Sequence, residues 1–133
     1  MKRYLCLLFC VVQPALCLAQ EDAGTASPTK DFAICMENVD LGAMKISQWL
    51  SCYEQEYKRQ EAFLNTEYQS LRSRLPASLR GDLRDAQRVW LNYRAVWCRY
   101  EGSLDVAPSA QVNGIACMVD ITTAQVRKLK YGY

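Results

Sequence analysis

Leu50, Tyr57, Leu64 and Leu71 recur every seven residues, and Tyr53, Tyr68 and Leu75 fill in at steps of three or four. A stripe of that period lies on one face of a helix, predicted over about 47–75. Pro76 ends it, because proline disfavours the helical region for the residue before it. Ser78 is placed to cap a second helix. Along that helix Leu79, Leu83, Ala86, Trp90, Tyr93, Trp97 and Tyr100 alternate steps of four and three, a 3.5-residue period. Two long striped helices joined by so few residues are expected to double back as an antiparallel hairpin. If Leu75 meets Leu79, then Leu71 meets Leu83, Tyr68 meets Ala86, Leu64 meets Trp90 and Tyr57 meets Trp97. Large side chains then face small or medium ones along the whole seam.

The flanks read less regularly. Residues 31–51 hold a short helix or two, interrupted at Gly42. Gly102-Ser103, Pro108-Ser109 and Gly114 read as loop punctuation over 101–115. A last helix is expected from about Cys117, with Ile121 or Thr122, Val126 and Leu129 on one face. A bare hairpin would leave aromatic surface wet, so both flanks are expected to cover it. The fold class is therefore all-α: a long antiparallel helical hairpin under shorter N- and C-terminal helices.

The N-terminus changes the accounting. Lys2-Arg3, the apolar run Tyr4 to Val12, and Cys17 and Ala19 at the −3 and −1 positions form the pattern of a signal peptide over 1–19, cleaved after Ala19. The run is too short to span a bilayer, which takes about 20 apolar residues. Phe9 and Leu16 precede Cys10 and Cys17, where lipid attachment wants a small residue. Residues 20–30, rich in small and polar side chains, read as a flexible leader, and 31–133 as one helical domain. The expected location is periplasmic or secreted.

Of seven cysteines, four remain after cleavage: Cys35, Cys52, Cys98 and Cys117. An even number in an exported chain indicates disulfides, and no CxxC pair suggests zinc. Cys98 faces about residue 56 in the hairpin register, some 6 Å along the axis from Cys52. That offset is poor for a bridge. Cys35–Cys52 and Cys98–Cys117 each staple a local connection to a long helix, and this is the pairing expected.

The chain carries 16 basic and 14 acidic residues and no histidine. Loss of Lys2 and Arg3 leaves 14 of each and no formal net charge. A histidine-based triad, dyad or metal site is excluded, and no glycine-rich phosphate loop is present. No catalytic residue, metal or cofactor is expected, and without a basic face neither is nucleic acid. Glu54, Glu56 and Glu61, beside Lys58 and Arg59, read as a solvated helix face. Arg94 lies opposite Gln60 and Glu61, where a helix-bridging ion pair or hydrogen bond is expected. The Trp90, Tyr93, Trp97, Tyr100 stripe has the spacing of a core. Residues 20–67 carry nine acidic and four basic side chains, and 68–133 five acidic and ten basic, charges that largely cancel across a hairpin.

Leu64-Asn65-x-x-Tyr68-x-x-Leu71, Ala86-Gln87-Arg88-x-Trp90-x-x-Tyr93-Arg94-x-x-x-Cys98, Gly102-Ser103, Cys117 and Thr123-x-x-x-Arg127-x-Leu129 together form a recognisable set. The combination resembles the LprI-like lysozyme inhibitor family, a bacterial exported domain, over about residues 35–130. The resemblance implies an envelope protein that binds and inhibits host c-type lysozyme. Its signature positions Leu64, Asn65, Tyr68, Leu71, Gln87, Trp90, Tyr93 and Arg94 fall on the hairpin seam and report the scaffold more than the function. The element expected to meet a partner is the loop closed by Cys98 and Cys117, with Glu101, Asp105 and Ser109. Two other roles fit the same features: an immunity or regulatory partner of another envelope enzyme or toxin, and a periplasmic stress or chaperone-like protein.

Overall fold

A computed structural model of the chain describes residues 28–40 and 45–132. Among them are four α-helices and no strand: α1 Lys30–Glu37, α2 Ile46–Arg74, α3 Arg80–Ser103 and α4 Ser109–Tyr131. The signal peptide pattern and most of the leader lie outside the described residues.

Local chemistry sets the ends. The Thr29 hydroxyl accepts from the Phe32 N–H and caps α1. Leu75 takes an extended conformation ahead of Pro76 and closes α2. The chain then passes through a 3-10 turn, Ala77–Leu79, into α3. Ser78 lies inside that turn, and α3 starts with no side-chain cap. At the far end Gly132 has φ 91°, the left-handed conformation that glycine adopts freely, and its N–H bonds to the Lys128 carbonyl at 2.8 Å.

The all-α class with two disulfides is borne out, and α2 and α3 run antiparallel. What differs is the filling of the hairpin. Its two arms do not zip directly; α4 packs closely along both, antiparallel to α3, and is the main neighbour of each. It is a full-length third rod, beginning eight residues before Cys117 and replacing most of the expected loop. Gly102 and Gly114, read as loop punctuation, face one another instead. A Cβ on Gly102 would stand 3.1 Å from the Ala110 carbonyl oxygen and 3.4 Å from the Gly114 Cα. Small residues at this crossing let α3 and α4 approach where aromatic neighbours would hold them apart.

The expected core moves accordingly. On α2 the buried residues are Cys52, Glu56, Gln60 and Leu64, a step of four that runs beside the Leu50–Leu71 stripe. On α3 they are Gln87, Arg94 and Cys98. Tyr93, Trp97 and Tyr100 are 49%, 42% and 52% exposed, so most of the aromatic stripe is surface, not core. Leu79 is exposed as well. The reason is rotation: α3 turns the face carrying Gln87, Arg94 and Cys98 to α4. A second, smaller apolar cluster joins α1 to the start of α2, where Phe32, Val39 and Cys52 are buried beside Trp49 and Tyr53.

Candidate functional site

Two polar assemblies and one stapled tip carry the chemistry of the molecule. The first assembly is centred on Arg94, buried where α2, α3 and α4 meet. Its Nη1 donates to the Glu61 carboxylate and, at 2.8 Å, to the Thr122 hydroxyl. Its guanidinium carbon lies 4.9 Å from the centre of the Trp90 ring and 5.5 Å from that of Tyr57. The cation lies over two aromatic faces and is paired to a carboxylate through Nη1, which offsets part of its lost hydration, while its Nε is buried without a hydrogen-bond partner. Burial raises the Tyr57 phenol above its ordinary value, with Arg94 acting against that rise. One helical turn or two away, Gln125 donates to Gln87 at 2.9 Å and extends the polar seam between α4 and α3.

The second assembly surrounds Glu56, which has no exposed surface. Its carboxylate accepts from the Thr29 N–H at 3.0 Å, the Thr29 hydroxyl at 2.6 Å, Arg59 Nε at 2.9 Å and Gln60 Nε2 at 2.7 Å. Burial alone would raise its pKa, but these four donors outweigh it and hold the group below its ordinary value. Glu56 therefore does not belong to a solvated face. It ties the start of α1 to the middle of α2. Glu54 is exposed, and Glu61 is half-buried against Arg94.

The tip is the turn between α3 and α4. Cys98 and Cys117 are bridged with Cα atoms 5.4 Å apart, and Cys35 is bridged to Cys52 at 5.7 Å at the opposite flank of the sequence. Glu101 sits in the last turn of α3 and accepts from Trp97 Nε1. Asp105 is exposed and accepts from the Val106 N–H at 2.8 Å. Ser109 opens α4. Across the α3–α4 crossing, burial and then the charge of Glu101 raise the pKa of Asp120. The tip is thus acidic, with Leu104 and Val106 exposed at its apex.

The signature positions do not share one environment. Leu64, Gln87 and Arg94 are buried, Tyr68, Leu71 and Trp90 are half-buried, and Asn65 and Tyr93 are exposed. Leu64, Asn65 and Tyr68 line an open groove between α2 and α3, facing Gln87, Arg88 and Leu91. Sequence reasoning missed Glu56 and Gln60 as interior groups, whereas Thr122, one of two candidates for the packing face of the last helix, is buried. The spacing of Cys52, Glu56, Gln60 and Leu64 carried the signal, because polar residues stepping by four in line with a disulfide share its buried face. Among the described residues no group of three or more metal-ligating side chains is placed to hold an ion, and no helix is long and apolar enough to cross a membrane.

The family model described as lysozyme inhibitor LprI matches residues 35–129. The chain belongs to the LprI lysozyme-inhibitor family. In this LprI domain the matched segment takes in both disulfides, the Arg94 assembly and the tip. No curated protein and no solved structure matches it.

Proposed function

We propose that this protein is exported to the bacterial envelope and acts there as a binding protein, inhibiting a c-type lysozyme by occluding its cleft. The family match over residues 35–129 is the observation that carries this reading. The tip suits the task on physical grounds. Its turn is closed by Cys98–Cys117 and loses little conformational entropy when bound. Glu101, Asp105 and Asp120 give it the sign that a very basic enzyme would meet favourably. The N-terminal signal pattern and the two disulfides fit an oxidising compartment.

A turbidity assay tests the reading. Oxidised mature protein at micromolar concentration is expected to protect cell walls from a c-type lysozyme, and unchanged clearing overturns the proposal. Asp105→Lys, at an exposed position, is expected to weaken protection by about tenfold through lost charge complementarity.

A further inference from the structure

The exposed aromatic face of α3 has an order that core packing does not explain. Val89, Tyr93, Val96, Trp97, Tyr100 and Leu104 are between 42% and 72% exposed, and lie at steps that keep them on one side of the helix. Counted from the midpoint between Val96 and Trp97, the six positions are symmetric: 89 mirrors 104, 93 mirrors 100, and 96 mirrors 97. Positions spaced in this way bring an apolar side chain opposite an apolar side chain when two copies pair antiparallel about a two-fold axis through that midpoint.

We infer that α3 is the contact surface of a homodimer in which two copies pair antiparallel through this stripe. Val89 meets the partner's Leu104, Tyr93 meets the partner's Tyr100, and Val96 meets the partner's Trp97. Three observations commit the face to a second copy. The exposed parts of these six side chains amount to roughly 600–700 Å² per copy, close to the 800 Å² per partner of a standard interface. The six side chains of the stripe carry no formal charge, so two copies can meet along it without opposing like charges. The mature chain has 14 basic and 14 acidic residues, so two copies do not repel through net charge.

The face is also prepared for burial. Tyr93 and Trp97 stack with ring centres 6.0 Å apart, and Trp97 and Tyr100 meet at 5.6 Å. The indole N–H of Trp97 already donates to Glu101, so covering the ring leaves no orphan donor. The inference does not depend on the lysozyme reading.

Sedimentation velocity on the oxidised mature protein, with single-cysteine cross-linking, tests it. The wild-type chain is expected to sediment as a dimer at micromolar concentration, and Val96→Glu to raise the dimer dissociation constant at least about tenfold. Val96→Cys, next to the axis, is expected to cross-link to itself. Val89→Cys is expected not to, yet to cross-link when mixed with Leu104→Cys. Circular dichroism and intact native disulfides confirm that each variant is folded. A chain that stays monomeric up to about 100 μM, a dimer indifferent to Val96→Glu, or self-cross-linking of Val89→Cys overturns the inference.

Discussion

Glu56 supplies the polar attachment of α1 to α2, beside the Cys35–Cys52 bridge and the Phe32–Val39 cluster. Its carboxylate is held ionised by Thr29, Gln60 and Arg59, with a pKa below the ordinary value of 4.5. A depressed carboxylate contributes stability that is fully present above its unfolded pKa and is lost as the pH falls through the folded value. Glu56→Gln is therefore expected to cost about 1.5–3 kcal/mol at neutral pH, by analogy with other charged hydrogen bonds. The gap from wild type is expected to shrink as the solution is acidified below the ordinary carboxylate range. Urea melts of both proteins from neutral pH to pH 3 check the slope; parallel curves would show that the ionised form is not what is stabilised. This interior acid was readable only in part. Sequence placed Arg94 opposite Glu61, because a helix register fixes neighbours, but it set Glu56 in water because adjacent charges usually mark a solvated face.

At the scale of elements, the chain's periodicity located α2 and α3 to within a few residues but did not show which face of each is buried. A stripe of 3.5-residue period states that a face is apolar, not what covers it. Tyr93, Trp97 and Tyr100 satisfied the pattern and still emerged at the surface, because α4 takes the neighbouring face with Gln87, Arg94 and Cys98. The glycines were misread for a related reason. Gly102 and Gly114 resemble loop residues when taken singly, and they meet only once α4 packs antiparallel along α3, one turn beyond the Cys98–Cys117 bridge. A Cβ at 102 meets fixed backbone, so Gly102→Ala is expected to destabilise by about 1–3 kcal/mol. A Cβ at Gly81, also on α3, meets nothing within 4 Å. Gly81→Ala is expected to stabilise by up to about 1 kcal/mol. Thermal or urea unfolding of the two variants side by side separates close approach from helix propensity, and equal signs would refute the crossing.

For the whole molecule, the two disulfides do different work although they close loops of similar length. Cys35–Cys52 spans 17 residues and fastens α1 to α2; Cys98–Cys117 spans 19 and fastens α3 to α4 at the acidic tip. In the chain-entropy account each contributes about 3 kcal/mol by restricting the unfolded chain. Replacing either pair by serine is therefore expected to lower stability by a similar amount. Their effects on lysozyme inhibition are expected to diverge. Without Cys98–Cys117 the tip loses its pre-organisation, and inhibition weakens even under conditions where the variant is fully folded. Without Cys35–Cys52 the three long helices and the tip keep their contacts, so a folded variant retains inhibition. Turbidity titrations at low temperature, with folding verified by circular dichroism, compare the two. Equal losses would mean that the tip is not the inhibitory element and that the surface contacting the enzyme lies elsewhere on the bundle.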